Sequence, residues 1–197
     1  MFSIPFGKSR VKAWADNKDR VLSNLEKVMD FTGSEMMPCE STYISGMKKR
    51  HRNLHHFEEF FGVIESTLYG DIYPELGQHL GGHQVVECWY QRYGRHDFHE
   101  LHNHGAIGWS AVFYAELDPN EHVGTTFYSP FQDAAGDLIS CTPPVEEGDL
   151  ILFPSFLLHE ATPCRSDKTR AIISFNLRRV DCLPLQLGDP TAEDADE

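Results

Sequence analysis

The second half of the chain consists of short apolar runs separated by turn-forming residues. The runs are rich in β-branched and aromatic residues and cover residues 84–93, 108–117, 124–129, 149–154 and 169–177. Segments such as Asp118-Pro119-Asn120 are typical of the turns between strands. Strands of this length and spacing predict an antiparallel sandwich or small barrel, with helices packed outside one sheet. The predicted fold class is therefore mainly β with flanking helices (α+β).

The first half of the chain has the apolar spacing of helices. Asp16 is the predicted N-cap of a first helix that ends near Phe31, and its apolar residues are Val21, Leu22, Leu25, Val28 and Met29. A second amphipathic stretch covers residues 54–68, and Gly70 is expected to end it. Both helices are expected to pack on one face of the sheet.

The 197 residues divide into three parts within one predicted domain. Residues 1–83 form an N-terminal helical segment that is integral to the fold, and residues 84–181 form the β core. Residues 182–197 are acidic and carry little apolar surface. We expect this tail to be disordered.

Composition narrows the range of partners and compartments. The formal charge of -13 disfavours a nucleic-acid partner, because negative charge repels a phosphate backbone. No apolar run reaches the ~20 residues that span a bilayer, and the N-terminus lacks the apolar core of a signal peptide. The five cysteines are widely spaced without a CxxC pair, which favours a reducing compartment. We expect a cytoplasmic protein.

Histidines concentrate in one segment of the β core. Residues 95–105 hold four of the eleven histidines. In an extended chain Glu100, His102 and His104 would point to one side, and side chains two residues apart can reach one metal ion. A third ligand must come from elsewhere, and His159, which closes a later strand, is the best candidate. Glu100 with His102 is an alternative pair that spacing leaves open.

Further motifs accompany these histidines in a fixed order. They are WYQRYG (89–94), HNH (102–104), WSAVFY (109–114), GTTFY (124–128), EGDLILFP (147–154), His159 and RAIISFN (170–176). Taken together they resemble the core of the Fe(II)/2-oxoglutarate-dependent oxygenases. The closest resemblance is to a poorly characterised group with a His-x-His motif, and prolyl hydroxylases are similar more distantly. The resemblance covers about residues 84–179, half of the chain.

This resemblance implies a double-stranded β-helix, the jelly-roll or cupin-like fold, with iron at the mouth of the barrel. It implies His102, His104 and His159 as the iron ligands and catalytic centre. Arg170 falls where the family has the arginine that pairs with the distal carboxylate of 2-oxoglutarate. A guanidinium fork matches a carboxylate bidentately, which a lysine cannot do.

Three further residues are candidates for contacts with the co-substrate. Tyr114 falls near a tyrosine that hydrogen-bonds the same distal carboxylate in the family, and Ser174 and Asn176 are weaker candidates on the last strand. A core aromatic residue is an equally good interpretation of Tyr114.

The activity that the resemblance implies is that of a dioxygenase, specifically a hydroxylase. Fe(II), 2-oxoglutarate and O2 would be required, and ascorbate would stimulate turnover. Oxidation of the primary substrate would be coupled to decarboxylation of 2-oxoglutarate to succinate. A small molecule or a protein side chain would fit as the primary substrate, and a homo-oligomer is compatible with the sequence.

One departure from the wider superfamily keeps two alternatives open. The usual facial triad has two histidines and one carboxylate, whereas His104 occupies the carboxylate position here. Three neutral imidazoles leave Fe(II) with two net positive charges instead of one. The shifted pair of Glu100 and His102 would restore a carboxylate. A metal-binding cupin that never uses 2-oxoglutarate, either another enzyme or a small-anion binding module, would also explain the strands and histidines.

Overall fold

The computed structural model describes residues 4–28, 39–42, 51–76 and 80–179. The strands are β1 (Gly7–Arg10), β2 (Glu40–Ser41), β3 (His83–Tyr93), β4 (His99–His102), β5 (Trp109–Glu116), β6 (Thr126–Gln132), β7 (Leu138–Cys141), β8 (Asp149–Pro154), β9 (Leu158–Ala161) and β10 (Arg170–Arg179). The helical elements are α1 (Trp14–Val28), a 3-10 helix (His51–Phe57), α2 (Glu58–Thr67), a π-helical turn (Leu68–Ile72) and α3 (Tyr73–Leu76). The predicted tail at 182–197 lies outside the described residues.

Two antiparallel sheets face each other. The larger sheet has the order β1-β8-β5-β10-β3-β2, and the smaller sheet has the order β4-β9-β6-β7. From β3 to β10 the chain passes back and forth between the two sheets, with the β6–β7 hairpin as the exception. This is the predicted double-stranded β-helix, and the α+β class is confirmed.

The larger sheet separates two apolar clusters because its side chains alternate. On β5, Phe113 belongs to the cluster under the helices, whereas Val112 and Tyr114 belong to the cluster between the sheets. Trp14 of α1 packs edge-on against Phe113 at 4.6 Å and donates its indole N–H to the carbonyl of Ala115 at 3.1 Å. The helices therefore pack on one sheet, as predicted.

Two predicted helix limits are wrong. Helix α1 begins at Trp14, so Asp16 lies in its first turn and is not the N-cap. Gly70 does not end the second helical stretch, which continues through the π-helical turn to Leu76. Ile72 and Leu76 are buried in the cluster under the helices, and this packing outweighs the ~1 kcal/mol that glycine costs in a helix. The predicted end of the first helix near Phe31 lies outside the described residues.

A buried carboxylate fastens the first strand to β8. Asp149 accepts hydrogen bonds from Arg10 Nε at 2.5 Å and from the main-chain N–H of Glu146 at 2.9 Å, and Lys8 Nζ lies 3.1 Å away. Burial alone would raise the pKa of Asp149, but these partners hold the pKa below its ordinary value. The N-terminal segment is thereby fixed to the edge of the larger sheet.

Within the described residues, no helix is long and apolar enough to cross a membrane. Four cysteines, Cys39, Cys88, Cys141 and Cys164, are free thiols.

Candidate metal centre

Two of the predicted ligands face each other across paired strands. β4 pairs with β9 so that His102 lies opposite His159, and their ring centroids are 4.3 Å apart. The pairing of β9 with β6 places Phe127 opposite His159. The His159 ring packs edge-on against Phe153 in the cluster between the sheets, and only 4% of His159 is exposed. The pairing of the smaller sheet therefore fixes this half of the site.

The third histidine joins them from beyond the end of a strand. β4 ends at His102, and His104 follows in the connection to β5. Its ring centroid lies 5.0 Å from that of His102 and 5.1 Å from that of His159. One ring nitrogen from each of the three lies within 4.8 Å of the others. The structure thus brings together the three histidines that the resemblance implied.

Main-chain carbonyls fix the tautomers of two of these rings. His102 Nδ1 lies 2.6 Å from the carbonyl oxygen of Glu100, and His159 Nδ1 lies 2.9 Å from that of Leu157. A carbonyl only accepts, so each Nδ1 carries the hydrogen and donates it. The lone pair is then on Nε2, which is free to bind a metal, and the hydrogen bond orients the ring.

Electrostatics keep the imidazoles neutral. Burial, followed by the neighbouring histidines, lowers the pKa of His104 to about 2 and that of His159 to about 3. The pKa of His102 is also lowered, first by burial and despite its hydrogen bond to Glu100. Neutral rings offer lone pairs instead of charge, so near neutral pH the site has three nitrogen donors ready for a transition metal.

The alternative ligand Glu100 is not part of this group. Its residue is exposed, and its main-chain carbonyl is what contacts His102. The pairing of β4 with β9 is irregular between His99 and His102, which breaks the strict alternation that would have placed Glu100, His102 and His104 on one side. The geometry favours His104 over the shifted pair.

Sequence reasoning missed a fourth histidine and the amide that holds it. His99 stacks on His102 with centroids 4.0 Å apart and planes 20° apart. Its Nδ1 lies 3.3 Å from Nε2 of the buried Gln91, whose Oε1 accepts the indole N–H of Trp89 at 3.0 Å. Because Trp89 fixes the amide, its nitrogen faces His99, whose Nδ1 must accept. Alternation along 89–94 could have shown that Trp89, Gln91 and Tyr93 share a face.

The histidines line a narrow cavity between the sheets. About 20 Å³ is free in it, which is room for one water-sized ligand. Ser174 lines this cavity, as does Tyr93, whose hydroxyl is buried without a hydrogen-bond partner among the described residues. The remaining lining residues are Trp89, Gln91, Ala111, Val112, Thr125, Glu160, Ala161 and Ile172.

Arg170 lies one side chain away from this cavity. Its guanidinium stands 4.5 Å above the Tyr93 ring and donates to the carbonyls of Val123 at 2.9 Å and Thr162 at 3.0 Å. Arg170 is only 3% exposed, and it lines a separate cavity of about 420 Å³ that includes Cys164. The Tyr93 ring therefore lies between Arg170 and the histidine cavity.

The other two candidates are placed differently from Ser174. Tyr114 donates its hydroxyl to Thr125 Oγ1 and accepts the main-chain N–H of Thr125, both at 3.0 Å, so it reaches the cavity only through Thr125. Asn176 does not line the cavity, and its amide is bound to Ser110 and Glu87. In this geometry Asn176 is therefore not placed to contact a co-substrate directly.

Comparison with known proteins places these features in a family. Residues 87–176 match the sequence model of the family described as "Putative 2OG-Fe(II) oxygenase". This match contains all the histidines of the site together with Arg170. No curated protein matches the sequence.

Solved structures share the fold at low identity. A prolyl-4-hydroxylase from Pseudomonas putida is 18% identical with a TM-score of 0.53, over 90% of this chain and 94% of that one. A viral collagen prolyl hydroxylase from Paramecium Bursaria Chlorella virus-1 is 14% identical with a TM-score of 0.57, over 89% and 96%. HygX from Streptomyces hygroscopicus, solved with nickel and 2-oxoglutarate, is 11% identical with a TM-score of 0.63, over 90% and 83%.

The chemistry of the donor set agrees with the family. Three neutral imidazole nitrogens fit an iron ion, and the unpaired hydroxyl of Tyr93 and the hydroxyl of Ser174 fit an anionic co-substrate beside it. The cavity must widen to admit that co-substrate, since about 20 Å³ is free. The part of the chain from residue 87 to residue 176, where the three histidines lie, matches the core of the Fe(II)/2-oxoglutarate-dependent oxygenases.

Proposed function

We propose that this chain is a hydroxylase in which His102, His104 and His159 hold the iron. The observation that carries the proposal is the convergence of these three neutral rings, with Nε2 of His102 and His159 left free by hydrogen bonds to carbonyls. When bound, iron and 2-oxoglutarate supply the oxidising chemistry, in which 2-oxoglutarate is decarboxylated to succinate as the substrate is oxidised.

The co-substrate would be held along the larger sheet. Arg170 is opposite Tyr93 in the pairing of β10 with β3, and Ser174 lies four residues further along β10 on the same side. We assign Arg170 to the distal carboxylate, Tyr93 and Ser174 to hydrogen bonds, and Tyr114 to support through Thr125. Arg170 would exchange a carbonyl partner for the carboxylate, a stronger charge-assisted hydrogen bond.

The charge of the site supports an anionic co-substrate. Three neutral imidazoles leave a divalent metal with both of its charges, and Arg170 adds a third positive charge nearby. The net charge of the residues outside the site is negative, since the whole chain carries a formal charge of -13. This balance favours a neutral or basic primary substrate over an acidic one.

The primary substrate that we propose is a small molecule or a protein side chain. One solved structure with this fold, from Trichoplax adhaerens, is a prolyl hydroxylase in complex with a peptide fragment. We also propose a cytoplasmic location, supported by the four free thiols. Fractionation of the source cells tests this location.

Succinate formation tests the proposed function. Unaltered protein loaded anaerobically with Fe(II) should form succinate from 2-oxoglutarate and oxygen, slowly and without a primary substrate. His159→Ala should abolish both succinate formation and metal binding. His96→Asn is a matched control, because His96 is exposed and its φ of 74° suits asparagine. Full metal occupancy in His159→Ala would refute the ligand set.

The narrow cavity favours a second candidate function. With about 20 Å³ free, the site could hold a metal and one small ligand without 2-oxoglutarate, as a metal-binding cupin would. Stoichiometric metal in the unaltered protein, lost in His159→Ala but without succinate formation, would establish this alternative.

A further inference from the structure

We propose that Arg178 is the positioning residue for His104, the third metal ligand. The inference rests on the proposed function of the histidines as metal ligands. His102 and His159 lie in paired strands, whereas His104 lies beyond the end of β4. Its main chain needs another support, and two hydrogen bonds provide it. The N–H of His104 donates to the carbonyl of Ser155 at 2.8 Å, and its carbonyl accepts from Nη2 of Arg178 at 2.7 Å.

The guanidinium joins two loops at this point. While Nη2 of Arg178 binds the carbonyl of His104, its Nη1 donates to the hydroxyl of Ser155 at 2.8 Å. Ser155 follows β8 and precedes the strand that carries His159. The guanidinium of Arg178 is planar and its donors are fixed in a fork, so it binds the loop of His104 and the loop of Ser155 at the same time. A displacement of either loop would therefore move the other.

The contacts of Arg178 with His104 and Ser155, which we call the clamp, continue into the core through buried polar groups. The hydroxyl of Ser155 lies 2.9 Å from that of Ser110, which donates to Asn176 Oδ1 at 2.6 Å. Asn176 Nδ2 then donates to Glu87 at 2.8 Å. Glu87, Ser110 and Asn176 lie on β3, β5 and β10, which form the centre of the larger sheet. Asn176 therefore belongs to the support of a metal ligand and not to the co-substrate cavity.

A glycine makes room for the clamp. Gly108 has φ +100°, and a Cβ there would collide with the guanidinium of Arg178 and the carbonyl of Leu177. The carbonyl of Gly108 also accepts the N–H of Ser155 at 3.0 Å. The loop after His104 is thus shaped around Arg178, as expected if the guanidinium is a fixed part of the site.

Metal titration of the full chain tests this role. Co²⁺ is an oxygen-stable probe whose visible absorption reports both affinity and coordination geometry. Arg178→Met should lower the affinity for Co²⁺ by about 10- to 100-fold, the usual effect of losing a group that orients a ligand, and should alter the absorption bands. Arg178→Lys keeps the charge but cannot fork between two loops, so it should fall between Arg178→Met and the unaltered protein.

Arg95 provides a matched control. It is an exposed arginine paired with Asp167 on the surface, so Arg95→Met and Arg95→Lys should leave affinity and spectrum unchanged. Thermal unfolding in the presence of chelator shows whether each variant folds. If Arg178→Met does not fold, the comparison of Arg178→Lys with the unaltered protein is the test. Unchanged affinity and spectrum in a folded Arg178 variant would overturn this inference alone. If the unaltered protein bound no Co²⁺, or if His159→Ala bound Co²⁺ equally well, the metal site and this inference would be overturned together.

Discussion

Acidification of the metal-free protein from pH 7 to pH 5 should destabilise its fold through the buried histidines of the site. The pKa of His99 is lowered to about 4, that of His104 to about 2 and that of His159 to about 3, in each case mainly by burial. In an unfolded chain a histidine has a pKa of about 6.5. The folded state therefore stays unprotonated at these rings while the unfolded state takes up protons.

The direction and size of the effect follow from proton linkage. Well above pH 6.5 neither state binds a proton at these rings, so their contribution to stability is fully present. As the pH falls from 6.5 towards the folded pKa, only the unfolded state gains protons and stability is lost. Each ring should cost about 2 kcal/mol between pH 7 and pH 5, and the three together about 6 kcal/mol. A loss of this size is a large part of the stability of a typical domain.

Urea unfolding followed by tryptophan fluorescence, with chelator present at pH 5, 6, 7 and 8, measures this dependence. A variant with His99, His104 and His159 all changed to glutamine is the control for every other titrating group. The unaltered protein should lose about 6 kcal/mol more than this variant between pH 7 and pH 5. A difference of less than about 1 kcal/mol would refute the placement of three neutral rings in a buried cluster.

Three further substitutions test separate features. Gly108→Ala should lower the free energy of unfolding by about 2–4 kcal/mol, because the new Cβ would be strained at the positive φ and would collide with Arg178. Urea unfolding measures this loss, and an unchanged free energy of unfolding would contradict the close packing of Gly108 against Arg178. Asp149→Asn should cost about 1–3 kcal/mol at pH 7 by weakening the hydrogen bond from Arg10. The difference from the unaltered protein should shrink as the pH falls below about 4, the ordinary pKa of an aspartate, towards the lowered pKa of Asp149 in the fold. An unchanged difference at low pH would be inconsistent with this. Tyr93→Phe should leave the stability of the fold unchanged or higher, because it removes a buried unpaired hydroxyl. Anaerobic calorimetry with Fe(II) should show several-fold weaker binding of 2-oxoglutarate to this variant. Unchanged affinity would remove Tyr93 from the proposed co-substrate site.

The central strands could be predicted because their local signals agree with the tertiary fold. β8 covers Asp149–Pro154, the predicted span, since Gly148 adopts a positive φ at one end and Pro154 marks the other. β5 and β10 are buried on both faces over most of their length, and their sequences are therefore mostly apolar without strict alternation. Short strands such as β4 and β9 contain polar residues and histidines, and only their pairing in the smaller sheet defines them.

The three histidines that converge could be predicted from the sequence, but the residues that support them could not. A His-x-His pair is visible in the sequence because both members lie close together in it. The contact between Gln91 and His99, and that between Arg178 and His104, join positions that approach only when the sheets close. Trp14 illustrates the same limit for a helix. Its indole bonds to Ala115 across the sheet, and α1 begins there instead of at the polar residue that local capping preferences favoured.

In the proposed ligand set, the replacement of a carboxylate by His104 changes what the surrounding chain must supply. A carboxylate has two oxygens and can meet a metal from several directions, whereas each imidazole offers one lone pair in the plane of a rigid ring. The main chain that carries such a ring must then be held more closely than strand ends are. His102 and His159 meet this requirement through their Nδ1–H bonds to carbonyls, and His104 meets it through Ser155 and Arg178. In the proposed site, the polar network from Glu87 to Arg178 supplies this support, and its residues on β3, β5 and β10 tie His104 to the most buried part of the fold.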